Sequence, residues 1–318
     1  MNKLTLPAKR SDVAERIHRS ATSDRPYTLL LRGTALFFGA VIILFVWSVV
    51  HTAWPAVTTF GYHLITGSAW VSGSGPYGAL PLLTDTVLTT AIALVIAVPV
   101  GLAAALTLLF LIPRRLRSFA ASLIELLAAV PSVVYGLWGL WYLTPWLSKT
   151  VQPFLARLTG GSWPFNGAQE GFSVLLAGLV LSIMILPTIV AISRDVIGVV
   201  PRELIEGGLS LGATQSQVLL KVVLPAARTG IFGAIALGAG RALGETIAVA
   251  MVIGSNPQLP HSLFSTGATL ASTIATQFGE ATGTTGSALA ALALMLMVIT
   301  ASVNFGARVL TKRATAPL

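Results

Sequence analysis

The 318 residues are 54% hydrophobic and only 10% charged, with a formal charge of +9 and no cysteine. A soluble domain carries roughly 25% charged residues, so this chain has too little charge to cover a water-facing surface and too much apolar length for one core. The composition excludes an ordinary soluble globule, a disulfide framework, a thiol nucleophile and any thiolate metal site, and points to an all-α polytopic membrane protein.

Charge-free intervals mark six spans, because a bilayer core of about 30 Å takes roughly 20 residues of helix. Residues 1–32 read as a polar tail containing Pro7 and Pro26, with either a short interfacial helix over Asp12 to Ser20 or no fixed structure. The first span is predicted over 33–54. Its apolar stretch from Gly33 to Val50 is longer than the core of a cleaved signal and lacks a small-x-small cleavage site. Trp54, Tyr62, Trp70 and Tyr77 follow and suit a membrane-water interface, with GSGPYGALP as a surface loop.

The second span, 86–112, opens on TDTVLTT, where Asp85 or Thr84 is read as an N-cap and Thr89 as a candidate pathway group. In the third, 118–143, Glu125 is either a partner for a buried cation or a snorkelling or protonated carboxyl. Pro131 kinks or breaks that helix and leaves Ser132 and Tyr135 as candidate lining groups. The fourth, 172–193, contains Pro187 and ends at Arg194 and Asp195; the fifth and sixth are placed at 230–253 and 285–307.

Lys and Arg number 7 before the first span, none in 55–85, 3 in 113–117, 2 in 144–171, 4 in 194–228, none in 254–284 and 3 after 307. The positive-inside rule then places both termini, 113–117 and 194–228 in the cytoplasm. This asymmetry accounts for the basic balance without a nucleic-acid partner. The membrane domain is read as 33–310, with 311–318 as a second cytoplasmic tail.

The loop after the fourth span is long, apolar and patterned. Within PRELIEGGLSLGATQSQVLLKVVLP, Glu203 to Leu211 form one short helix, Gly212 ends it in the left-handed conformation, and Thr214 caps a second helix running to Pro225. Two short helices joined by glycine make a knob, and its leucines and valines need a partner surface.

This loop, taken as 199–226, resembles the cytoplasmic coupling loop of bacterial ABC-importer permeases: Glu206, Gly212, Val222, Leu224 and Pro225 fall at the pattern positions, with Ala213 and Thr214 beside the turn. Gly207 and Gly208 replace the pattern's two alanines, each costing roughly 1 kcal/mol of helix stability. The segments ELLAAVPSVVYGLWGL, ILPTIVAISRDVIGVVP and GRALGETIAVAMVIG extend the resemblance to the permeases of the phosphate-specific transport system. The resemblance implies a type I importer fold in a bacterial inner membrane. It also implies a homologous permease partner, two ATPase subunits that bind ATP and Mg, and an extracytoplasmic phosphate-binding protein. No cofactor or metal is expected on this chain itself.

Arg241 and Glu245 fall inside the fifth span, Arg241 about 18 Å in from Thr229. Intramembrane charges cost at least about 2.5 kcal/mol each on insertion scales and mark pathways or buried pairs. On a continuous helix, a spacing of four puts both on one face. Two readings are open: Arg241 offers its planar fork to a passing phosphate while Glu245 holds it and limits binding strength, or the pair only fixes helix register. The resemblance implies the first.

The four histidines, His18, His51, His63 and His261, are scattered and form no hydrolase or zinc motif, and no Gly-rich ATPase loop is present. An ion-coupled carrier normally holds its whole path in one chain with internal repeats, which six spans without a repeat do not provide. A permease half that docks a separate ATPase explains loop, topology and missing nucleotide motif together. A permease for another oxyanion is the alternative.

Overall fold

The computed structural model describes residues 25–73 and 75–314, and among them the regular elements are helices. The expected interfacial helix over Asp12 to Ser20 lies outside the described residues. The chain forms two units, divided after His51. In the first unit lies most of α1 (Arg25–Phe60), whose leucines, isoleucines and phenylalanines are exposed along its length. The helix starts eight residues before the predicted span at Gly33.

The second unit contains α2 (His63–Thr66), α3 (Leu80–Leu111), α4 (Arg114–Ala129), α5 (Ser132–Leu158), α6 (Val174–Gly198), α7 (Arg202–Ser210), α8 (Gln215–Leu243), α9 (Ile247–Ile253), α10 (Leu270–Gln277) and α11 (Gly283–Ala314). Among the described residues five helices are long and apolar enough to cross a bilayer, and the bent pair α4/α5, counted as one, brings the number to six.

α6 is the central rod. Ser173 caps it by accepting the Leu176 N–H at 3.1 Å, and Pro187 sits inside without breaking it. Small residues let its neighbours approach: a methyl at Gly178 would lie 2.5 Å from Ile92 Cγ2 of α3, and one at Gly230 of α8 would collide with Val196. Three apolar clusters result. One surrounds the middle of α6, with Val180, Met184 and Ile185 against Leu147 and Val252. A second, at the end away from the knob, joins Ala53, Trp70, Leu82, Leu270 and Leu289. The third, at the knob end, joins Leu108, Ile197, Val218 and Ile231.

Several expectations are corrected. The fifth span is not one helix over 230–253. α8 begins at Gln215, inside the loop, and runs through Pro225 without a stop. A wide turn at Leu219–Val223 absorbs the carbonyl that proline cannot serve. The same helix then ends early, at Leu243. The third span runs to Leu158 rather than 143 and bends by 88° where Val130 and Pro131 interrupt it. Trp54 and Tyr62 are exposed as expected of interface aromatics, but Trp70 and Tyr77 are buried. Trp70 Nε1 donates to Gln277 Oε1 at 3.0 Å, and the Tyr77 hydroxyl pairs with Thr285 Oγ1 at 2.7 Å.

Candidate functional site

Arg241 stands in the last turn of α8, where unpaired helix carbonyls favour a cation. It is half-buried, and its Nη1 donates to Thr188 Oγ1 of α6 at 3.1 Å. Gly244 ends the helix, Glu245 and Thr246 are non-helical, and α9 starts at Ile247. Glu245 Oε1 accepts the Ala248 N–H at 3.3 Å. The expected Arg241–Glu245 pairing along one helix face is therefore corrected: among the described residues the two form no ion pair. The reason is the break. It removes the one-turn geometry and creates orphan N–H groups at the start of α9, which a water-poor interior must satisfy from the protein. Each charge thus meets the helix end that suits it.

The second interrupted span lies alongside. A methyl at Gly136 of α5 would come within 2.7 Å of Met251 Sδ and 3.1 Å of Ala248 Cα, so the first turns of α5 and α9 are in backbone contact. Tyr135 is buried, its hydroxyl donates to Leu127 O at 2.8 Å across the α4/α5 bend, and it is within Coulombic reach of Arg241. Irregular backbone at membrane depth is tolerated only where protein buries it or it lines a cavity. Two interrupted spans in contact, beside one guanidinium, form a polar centre within the bundle.

Thr89 is buried and its hydroxyl turns onto its own helix, donating to Asp85 O at 2.8 Å. Glu125 is 60% exposed and lies 3.5 Å from Arg194 Nη2; its cationic partner is Arg194, and not Arg241. Asp85, read as an external N-cap, sits inside α3 and is completely buried. Its Oδ2 accepts the Ala268 N–H at 2.9 Å, while Thr86 Oγ1 accepts the Leu270 N–H at 3.0 Å. Together they pin the segment before α10 against α3, and Asp85 Oδ1 has no partner. An acidic residue within an apolar helix was the available signal for such a role.

The knob has the predicted form. α7 ends at Ser210, Gly212 adopts φ +83°, and Ala213 N donates to Gly208 O at 3.3 Å. Thr214 and Gln217 form a reciprocal capping box: Thr214 N donates to Gln217 Oε1 at 2.9 Å, and Gln217 N to Thr214 Oγ1 at 3.3 Å. Gly208 has a packing role, since a methyl there would lie 3.0 Å from Val218. Glu206 is exposed and its carbonyl accepts Ser210 Oγ; Ala213 and Leu224 are half-buried, and Pro225 is exposed. Leu211, 90% exposed, and Leu204, Leu209 and Leu220 leave an apolar surface on the knob.

The sequence pattern of the binding-protein-dependent transport system inner membrane component matches residues 97–316, which covers the knob and both interrupted spans up to the last helix. The chain belongs to this family. It is 42% identical over 293 residues to the phosphate transport system permease protein PstC of Pasteurella multocida, covering 90% of this chain and 92% of that one. It is 40% identical to the PstC of Mesorhizobium japonicum, over 93% and 92%, and 38% identical to that of Xylella fastidiosa strain Temecula1, over 98% of each. Among solved structures, a bacterial alginate ABC transporter bound to its periplasmic protein aligns at TM-score 0.62 and 15% identity, over 95% of this chain and 99% of that one. The MetNI methionine ABC transporter aligns at 0.52 and 18%, over 74% and 94%. These structures share the fold, that of a type I ABC-importer permease. The family member described here is a multi-pass inner-membrane protein.

Proposed function

We propose that the chain is the permease subunit of an ATP-driven importer of inorganic phosphate, forming half of the translocation path. The observation that carries the substrate is the identity of about two residues in five with phosphate permeases, sustained over nine-tenths of the chain. The complex holds a homologous permease, two ATPase subunits that bind ATP and Mg, and an extracytoplasmic phosphate-binding protein. The Lys and Arg distribution supports placing both termini and the knob in the cytoplasm.

The knob, with Glu206, Gly212, Ala213, Thr214, Leu224 and Pro225, docks the ATPase. α8 supports a direct mechanical route: it starts in the knob and carries Arg241 some 25 residues further on, about 38 Å at helical rise. Displacement of the knob therefore reaches the guanidinium along one helix, through the wide turn at Leu219–Val223, and two states of the bundle follow the ATPase cycle. Arg241 meets phosphate with its free N–H groups. Glu245 fixes the start of α9 and stands close enough in sequence to temper the local charge, so the anion binds weakly enough to leave. Tyr135 supports the bend beside them, while Glu125 and Thr89 have structural roles.

The test is purification through a tag on this chain, identification of the co-purified subunits, and reconstitution into liposomes with ATP inside and the binding protein outside. ATP-dependent uptake of radiolabelled phosphate is the expected result; uptake of sulfate or molybdate in its place would overturn the substrate. For orientation, Ser216→Cys should resist an impermeant thiol reagent on intact cells and His261→Cys should react, and the reverse would overturn the topology.

A further inference from the structure

At the knob end, where α3 finishes, α4 begins and α6 ends, an open cavity of about 500 Å³ is lined by Leu109, Arg117, Ser118, Ala121, Arg194, Asp195 and Gly198. Its two guanidinium groups differ. Arg194 is held by two carboxylates, with Asp195 Oδ1 at 3.0 Å and Glu125 Oε1 at 3.5 Å. Arg117 has no carboxylate partner among the described residues. Its Nη2 donates to the Leu109 carbonyl, and its Nε is buried without a hydrogen-bond partner. A half-buried cation with an orphaned donor is costly unless an anion completes it. Ser118, one residue on, is exposed and presents a hydroxyl to the same cavity.

We propose that this cavity binds a phosphate group, carried either by inorganic phosphate or by an anionic lipid headgroup, with Arg117 as its charged donor and Ser118 as its second. A guanidinium matches phosphate oxygens through paired N–H groups, and the cavity is wide enough for a hydrated oxyanion or a headgroup at the bilayer edge. Asp195 and Glu125 are turned to Arg194, which keeps their charge from cancelling that of Arg117. The site is separate from Arg241: Arg194 lies six residues beyond Thr188 on α6, about 9 Å along the helix. The titrations that test it are repeated with Arg241→Gln, so that binding in this cavity and binding at Arg241 are told apart.

The purified full chain in detergent is titrated with radiolabelled inorganic phosphate by equilibrium dialysis, and with phosphatidylglycerol by native mass spectrometry against a phosphatidylcholine control. Arg117→Gln and Ser118→Asp are each expected to weaken binding of the responsive probe at least about tenfold, the scale of one lost charge-assisted hydrogen bond. Ser118→Asp leaves the Arg117–Leu109 bond in place, and it decides the matter if Arg117→Gln disturbs folding. A response in the phosphate arm assigns free phosphate, and one in the phosphatidylglycerol arm assigns a lipid headgroup. Wild-type binding of neither probe above the control, or unchanged binding in Ser118→Asp, would overturn the site.

Discussion

Gly212 allows the coupling surface to be perturbed without touching the membrane bundle. Its φ is +83°, and nothing lies within 4 Å of where a Cβ would stand. A side chain there meets open space, so the whole cost of substitution is backbone conformation. A left-handed residue with a Cβ costs roughly 1–2 kcal/mol; alanine falls at the low end, a β-branched residue at the high end, and asparagine below both because it tolerates that region. At about 1.4 kcal/mol per decade, Gly212→Ala should weaken ATPase association about fivefold and Gly212→Val about thirtyfold, with Gly212→Asn close to wild type. The assay is titration of the purified permease complex with its ATPase subunit, alongside thermal unfolding of the permease alone. Unfolding should shift by no more than this backbone strain, because Gly212 itself belongs to none of the three apolar clusters. Equal affinity in all four proteins would refute the knob as the docking element; equal loss in all three variants would refute the backbone argument.

Glu245→Ala removes the acceptor for the Ala248 N–H and should cost about 0.5–2 kcal/mol in thermal stability, whereas Glu245→Gln retains the acceptor and should fold normally. Asp85→Leu leaves the Ala268 N–H buried and unpaired, a loss of about 1–3 kcal/mol, seen as a lower melting temperature and faster proteolysis between 254 and 269; Asp85→Asn should be spared. Gly136→Leu forces a side chain into Met251 and Ala248 where the two interrupted spans touch, costing about 1–3 kcal/mol by overpacking. Phosphate uptake per assembled complex should fall in that variant even where assembly persists.

The knob was legible because short-range chemistry determines it. Gly212 at a helix end and Thr214 three residues before Gln217 act within one turn, and neither needs a tertiary partner. The break at Gly244–Thr246 was not legible for the opposite reason. Apart from Arg241 its flanks are small or apolar, so the apolar pattern does not change across it; Thr246 at the N-cap position makes no side-chain cap bond, and the acceptor comes from Glu245 one residue earlier. Pro131 reads as a kink or break, and the close approach of Gly136 to α9 just beyond the 88° bend is not revealed by sequence spacing. Pro225 misled because proline normally stops a helix, and here a wide turn just before it accommodates the missing donor. Asp85 reads as an end cap from sequence because a helix start is placed only to within a turn, and its partner Ala268 lies 183 residues away.

Passage of phosphate by the guanidinium at the end of α8 is measured by radiolabelled phosphate uptake in reconstituted complexes carrying Arg241→Gln or Arg241→Lys, normalised to assembled complex. Arg241 donates to neutral Thr188 and is not bound to Glu245, so its removal leaves no unpaired carboxylate contact and the complex should assemble in both variants. Arg241→Gln should lose about tenfold or more of uptake, the scale of one charge-assisted hydrogen bond, and Arg241→Lys should retain more, since it keeps the charge without the planar fork. Wild-type uptake by an assembled Arg241→Gln complex would contradict the account and place the path elsewhere.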